Sequence, residues 1–364
     1  MSYGGTRGGR PLEEKPYLDG YDGNTYRPFA DLIRLEKIDD RTYRSVAPPF
    51  APGGRFGVGR SYGAHVYCQA AWAACQTVDK GFLLHNVSGN FILAGQLTVP
   101  FVYNVDIVRN GRSYCTRIVS VTQSEGKGVC FTCICSFKTP EPLQVESQQD
   151  MDLWKEYGAM LGGKKPEDFP ECPGMDVPFY WKQRAQTGVN DEFPGLECRR
   201  VDMERYNESK HPLDRKQLIF YRTIGSMPDD PNMHLCAHLY ASDRNSLYNV
   251  ANAFDLGDRF TQMSSLVHTV VFHSPAKQLA FGPGSGRSPS DSNGGRWFCM
   301  EAYASRIGSG RALYQCRIWN PEGINVTTAM QDGLIRFIDG GKASKEEEDE
   351  FADVQKHWKR QEKL

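Results

Sequence analysis

The chain has 364 residues, 40% of them hydrophobic and 24% charged, and its 43 basic and 44 acidic residues leave a formal net charge of -1. That balance excludes a strongly basic nucleic-acid binder and a polybasic membrane-surface protein, while the length suits two ordinary domains. No run approaches the roughly 18 consecutive apolar residues that a membrane-spanning helix needs.

The N-terminal stretch 1–27 is rich in glycine and charge, without apolar periodicity, and reads as a loosely held arm with no secretory h-region. The eleven cysteines sit mostly in apolar, strand-like runs, as at Cys130, Cys133 and Cys135, and read as reduced, buried thiols of an intracellular protein. Their spacing lacks a second Cys or His pair, so no metal site is expected. Sequons at Asn86, Asn207 and Asn325 are read as chance matches. The terminal Glu362-Lys363-Leu364 is an imperfect copy of a peroxisomal address, which leaves cytoplasmic and peroxisomal locations both open.

Residues 64–75 are small and apolar nearly all round, a composition that predicts an enclosed helix on which another backbone can pack closely. Four runs rich in Val, Ile, Phe and Thr follow, at 82–91, 98–109, 112–123 and 128–138, and predict strands. Asn110-Gly111 marks a hairpin, because both residues tolerate positive φ. Residues 139–212 are Pro-, Glu- and Lys-rich and read as a long connecting segment.

The same plan then recurs. A helix is predicted over 242–254, with Ser242 or Asp243 as its N-cap, followed by strand-like runs at 264–273, 297–305, 310–319 and 325–337. A Gly/Ser-rich loop, 282–295, interrupts this second half, and a charged tail occupies 341–364. The expected architecture is α+β: a double hot-dog, with helix-plus-antiparallel-sheet repeats at 28–138 and 213–340 fused into one continuous sheet.

Specific strings sharpen this. Leu239-Tyr240-Ala241-Ser242-Asp243, the run Ser264-Ser265-Leu266-Val267-His268 and the closing Ala329-Met330-Gln331-Asp332-Gly333-Leu334 resemble segments of the acyl-CoA thioesterase II family, in that order. In the first half, Val105-Asp106-Ile107-Val108-Arg109-Asn110-Gly111-Arg112 is similar to another segment of that family. The resemblance implies an acyl-CoA substrate, no cofactor, and Asp243, Ser265 and Gln331 as the residues that hold an attacking water. It leaves homo-oligomer formation open. His268, Gly59, Arg60 and Val267 are expected to contribute to substrate binding. The chemistry is coherent by itself, since a thioester carbonyl needs only an oriented water, a proton acceptor and a site for the oxyanion.

Each residue also has a plainer reading. Asp243 fits a helix cap, Ser265 an ordinary strand hydroxyl, Gln331-Asp332-Gly333 a strand-end turn, and His268 a satisfied core histidine. His268 and His273, five apart in one strand, face opposite sides and cannot form a two-histidine metal site. The strings depart from the family at Val267, Val271, Gly59-Arg60 and Gly63-Ala64, which points to a different acyl preference. Two rivals stay open: a pathway-specific thioesterase or hydratase/dehydratase acting on polyketide-type thioesters, and a non-catalytic acyl-binding paralogue.

Overall fold

The computed structural model describes residues 28–52, 60–123, 128–142, 144–149, 151–188, 193–257, 259–282 and 295–337. The N-terminal arm, the charged tail with its terminal Glu362-Lys363-Leu364, Gly59 and nearly all of the 282–295 loop lie outside them.

The first half contributes strands β1 (Leu35–Lys37), β2 (Thr42–Ser45), β3 (Leu83–Phe91), β4 (Phe101–Asn110), β5 (Tyr114–Gln123) and β6 (Phe131–Lys138), with helix α1 (Gly63–Cys75) between β2 and β3. Helix α2 (Pro178–Thr187) lies in the connecting segment. The second half contributes β7 (Leu196–Arg200), β8 (Gln217–Thr223), helices α3 (Pro231–Ser242) and α4 (Ser246–Ala253), β9 (Phe260–Phe272), β10 (Phe298–Gly308), β11 (Arg311–Trp319) and β12 (Asn325–Phe337). All twelve strands form one antiparallel sheet in the order β1-β2-β4-β5-β6-β3-β9-β12-β11-β10-β8-β7. Each half uses the same internal order, so the expected internal repeat and continuous sheet are both present, with the dyad between β3 and β9.

At that join Ser88 pairs with Thr269, and their hydroxyls lie 2.9 Å apart. Fusion removes the two inner edges of the half-sheets and leaves β1 and β7 as the outer ones.

Helices α1 and α3 pack together inside the curl of the sheet. Ala64, Ala70, Ala71, Ala73 and Ala74 of α1 and Ala237 and Ala241 of α3 are all buried, and these small residues allow close backbone approach. Cys68 Sγ reaches the Cys236 carbonyl at 3.2 Å, and the Tyr62 hydroxyl donates to the Tyr240 carbonyl at 2.9 Å. Asn232, near the start of α3, bonds the backbone of Phe82 and Leu84 beside and within β3. A single apolar core therefore runs through both halves.

Four features differ from the sequence expectations. First, the second-half helix begins at Pro231, with Asp230 accepting from the Asn232 N–H as its N-cap; Ser242 ends that helix, and Asp243 follows at its C-terminus instead of capping a new one. Second, the 139–212 segment is more than a connector. It supplies β7, and its Leu153, Tyr157, Leu161 and Phe169 pack on Leu218, Phe220, Cys299 and Trp319 in a second apolar cluster. Strand β8, whose first five residues are all buried, is thereby covered on both faces.

Third, the 110–111 hairpin forms without positive φ at either residue. Gly111 is needed there for space, because a Cβ would lie 2.6 Å from the Tyr114 carbonyl oxygen. The Asn110 side chain accepts from the buried Arg117 guanidinium at 2.7 Å. In the second half the matching turn does use positive φ, 54° at Ser309 and 70° at Gly310. Fourth, β1, β2, β7 and β8 extend both half-sheets beyond the predicted strands.

Gly89, beside the join, carries a sharp packing constraint: a Cβ there would approach Phe131 Cζ to 2.4 Å and Tyr67 Cδ2 to 3.0 Å. Both rings are fully buried and meet edge to face. Gly89→Ala is expected to destabilise the fold by about 1–3 kcal/mol through overpacking, read as a lower urea midpoint at unchanged m-value.

Candidate active site

The break between α3 and α4 creates the site. Asn245 adopts a left-handed conformation with φ 62°, which ends one helix and starts the next within three residues. Asn245 is held there by the connecting segment, its Nδ2 donating to the fully buried Asp176 at 2.6 Å and its Oδ1 accepting from the Asp176 N–H at 3.3 Å. Arg244 donates to the carbonyls of Pro173 and Gly174, and its guanidinium lies 4.4 Å from the Phe193 ring centroid. The segment that the sequence shows as a linker thus clamps the junction.

With the junction fixed, Asp243 turns inward and is only 7% exposed. Its Oδ1 accepts from the Ser246 hydroxyl at 2.8 Å, and its Oδ2 accepts from the Ala64 N–H at 3.0 Å. The second bond crosses between the halves, so Asp243 caps α1 and not its own helix. Gly63 permits this approach, since a Cβ would stand 3.2 Å from Asp243 Oδ2 and 3.0 Å from Phe91. Burial pushes the Asp243 carboxyl up to about 6, against the downward pull of Ser246, Gln331 and the Ala64 N–H.

Gln331 reaches the same point from β12. Its Nε2 donates to Ser246 Oγ at 3.0 Å and to Ser265 Oγ at 2.6 Å. A connected chain results: Ser265, Gln331, Ser246, Asp243. The 66-residue separation of Gln331 and Ser265 is no obstacle, because β12 and β9 are neighbours in the sheet.

Strand alternation alone would put Ser265 on the wrong face. Gln331 pairs with His268, and both are buried; three residues away, Ser265 would point outward in a regular strand. A β-bulge corrects this. Asp332 faces Val267 while Gly333 faces Ser265, so Leu266 is the extra residue, and Ser265 is re-aimed at Gln331. Packing of α4 on β12 is equally close, for a Cβ on Gly333 would meet both δ-carbons of Leu247 at 2.6 Å.

The chain of polar groups borders a cavity of about 360 Å³. Asp243, Ser246 and Ser265 stand in its wall, with Phe50, Tyr62, Phe91, Phe131, Phe193 and Tyr248 supplying an aromatic lining. Such a combination, apolar walls and a few converging polar groups, suits an apolar acyl chain attached to a polar reacting centre.

The residues expected to bind substrate separate. Arg60 is exposed and borders the cavity. His268 is buried behind it, 1% exposed, with its ring edge-on to Tyr67 and its Nε2 2.8 Å from Ser242 Oγ. Val267, next in the strand, alternates to the opposite face and does not line the cavity. Gly59 lies outside the described residues. Burial lowers the His268 imidazole to about 4, so the ring is neutral near pH 7. Two atoms of this inner layer, His268 Nδ1 and Gln331 Oε1, have no hydrogen-bond partner among the described residues. Leaving a buried acceptor unpaired costs about 1–3 kcal/mol.

Ser246 is a site residue that the sequence patterns do not single out, and Ala64 is marked there only as a departure from the family and not as a backbone donor to Asp243. Ser246 follows Asp243 by three positions, a spacing that carries a signal once a helical turn is assumed. Nothing local flags that role of Ala64, a backbone N–H contributed from 179 residues away. Among the described residues no group of three or more His, Cys, Asp or Glu side chains is arranged to hold a metal ion.

Comparisons with known proteins show the family. The acyl-CoA thioesterase N-terminal domain matches residues 52–138, and the acyl-CoA thioesterase C-terminal domain matches residues 171–335. The second match includes β7, in keeping with its place in the sheet. Acyl-coenzyme A thioesterase 8 of Mus musculus is 26% identical over 84% of this chain and 88% of that protein. Acyl-CoA thioesterase 2 of Haemophilus influenzae is 26% identical over 84% of this chain and 96% of its own length. Among solved structures, the acyl-CoA thioesterase II TesB2 of Mycobacterium marinum has the same fold, with a TM-score of 0.59 and 24% identity over 86% of this chain and all of that one. The chain belongs to the acyl-CoA thioesterase family, double hot-dog enzymes that hydrolyse acyl-CoA to a carboxylic acid and CoA.

Proposed function

We propose that this chain hydrolyses acyl-CoA with Asp243 as general base, Ser265 and Gln331 holding the attacking water, and Ser246 tying the three together. The observation that carries the reading is the unbroken hydrogen-bond chain from Ser265 through Gln331 and Ser246 to Asp243 on the wall of the aromatic cavity.

Hydrogen bookkeeping supports these roles. Both Gln331 amide hydrogens are committed to serines, and the Ser246 hydroxyl hydrogen is committed to Asp243. The Ser265 oxygen accepts, so its own hydrogen points into the cavity, where it orients a water beside Asp243. The water's proton passes to the carboxylate as its oxygen attacks the thioester carbonyl. The oxyanion that develops faces the first turn of α1, where the helix N-terminus stabilises negative charge. The tetrahedral intermediate then collapses with cleavage of its C–S bond, and the departing thiolate takes the proton back from Asp243 and leaves as CoA, with no acyl-enzyme. Arg60 at the cavity mouth suits the phosphates of CoA.

A base at about 6 gives a definite pH profile. kcat/KM is expected to fall about tenfold per pH unit below that value and to level off above about pH 7, because only the ionised carboxylate accepts a proton. Initial rates of thiol release across pH 4.5–8.5 read this, and a rate that stays flat through the acid limb counts against Asp243 as the base.

The stability sign runs the other way. Between the ordinary carboxylate value of 3.8 and about 6 the folded chain holds a proton that the unfolded chain has lost, so stability declines as pH rises through that window. The full cost at neutral pH is about 3 kcal/mol. Asp243→Asn, which removes the buried charge, is expected to cut turnover by about 10²–10⁴-fold while the urea midpoint at pH 7 holds or rises. Gln331→Ala is expected to lower kcat more than it raises KM. Turnover that survives both substitutions excludes this mechanism, and acyl-CoA binding without turnover in the unsubstituted protein marks an acyl-binding paralogue.

A further inference from the structure

Gln331 can hold two serines only if its carboxamide stays in one orientation, and the atom that would lock it is unaccounted for. Its Nε2 is occupied by Ser246 and Ser265, while Oε1 is buried and without a partner. Directly across the strand pair stands His268, whose Nδ1 is likewise buried and without a partner. Three other neighbours of the imidazole offer Nδ1 no donor: the Tyr67 hydroxyl is committed to the Val87 carbonyl at 2.9 Å, the facing residue on β3 is Gly89, and Ser242 sits at the opposite ring nitrogen.

We infer that His268 is a positioning residue: as the Nδ1–H tautomer it donates to Gln331 Oε1, with Ser242 Oγ–H donating to its Nε2, and so fixes the amide that holds Ser265 and Ser246. The inference rests on the proposed role of Gln331. A neutral imidazole has one ring proton, and the Ser242 hydroxyl has two acceptors within 2.8 Å, the Leu239 carbonyl and His268 Nε2. If Ser242 donates to Leu239, the ring proton must sit on Nε2, and the two buried acceptors of this cross-strand pair, Nδ1 and Oε1, are both left without a donor. If it donates to His268, the ring proton moves to Nδ1 and both orphaned atoms are satisfied together. Burial that keeps the ring neutral prevents the third solution, an imidazolium that donates at both nitrogens. Turning the amide around instead would set Oε1 against Ser246 Oγ, whose hydrogen is committed to Asp243, and so break the link from Gln331 to Asp243, which makes the histidine the orienting partner.

The consequence is a relay of orientation from α3 to the water: Ser242, His268, Gln331, Ser265. It assigns a physical task to a residue that the cavity wall itself does not show.

Two measurements test this. Nitrogen-15 NMR of histidine-labelled protein at pH 7, with His268 identified by the signal that His268→Asn removes, reports the tautomer directly. A protonated Nδ1 with an unprotonated Nε2 is expected, and the reverse pattern overturns the inference whatever the kinetics show.

The second is a pair of isosteric replacements beside a deletion. Asn places an amide donor near the Nδ1 position and Gln places one near Nε2. His268→Leu and His268→Gln are expected to lower kcat by about 10–100-fold with KM within about twofold, and His268→Asn to recover kcat to within about fivefold of the starting protein. Equal loss in all three marks a residue needed only for packing and overturns the positioning role. Gln331→Ala separates the two layers: full turnover in that variant defeats the assignment of Gln331 to the water, while the tautomer measurement still decides the bond between His268 and the amide.

Discussion

Two helices lying against each other inside one curled sheet are the constraint on which the rest depends. Buried alanines on α1 and α3 let the two helices lie close, and the C-terminal end of one comes within hydrogen-bonding distance of the N-terminal end of the other. The Asp243 carboxylate occupies that meeting point and satisfies an amide left open by the start of α1. The site is therefore a product of fusing two halves. Neither half holds both the carboxylate and the helix end that receives it.

Burial gives that carboxylate its chemistry. A cap at a solvent-exposed helix end would titrate as an ordinary aspartate and would be a poor base near neutral pH. Enclosed by the cavity wall and held by two donors, the Ser246 hydroxyl and the Ala64 N–H, Asp243 is raised only to about 6, ionised in the physiological range and still basic enough to take a proton. The 172–181 stretch and Asn245 keep it there by fixing the break between α3 and α4, and the bulge at Leu266 delivers Ser265 to the same place. Local irregularities in helix and strand, each stabilised from elsewhere in the chain, assemble what regular elements could not.

Much of the frame is legible in the residues. Runs such as 114–123 and 131–138 alternate buried and partly exposed positions with β-branched and aromatic residues, and they form strands near their predicted places. The all-apolar 64–75 stretch forms an enclosed helix, as its composition demands. The helix at Pro231–Ser242 is less visible because His234, His238 and Asn232 interrupt its apolar pattern. Its Asp230-Pro231 start is nevertheless a recognisable capping signal. Strand β7 is short and half charged, and only the cover from Leu153 to Phe169 across the sheet explains why β8 is apolar on both faces.

By itself the sequence determined the α+β class, the internal repeat and four of the strands in each half, and its resemblance to a family picked out Asp243, Ser265 and Gln331 as candidates, because periodicity, turn residues and short strings are local properties. Tertiary structure alone decided the join of Ser88 to Thr269, the bond from Ala64 to Asp243, the inward turn of Ser265 at the bulge and the burial of His268 behind the cavity. Each of those depends on atoms brought together from distant parts of the chain or on a one-residue shift of register. Spacing along the chain carries no record of either until the sheet closes around the two helices.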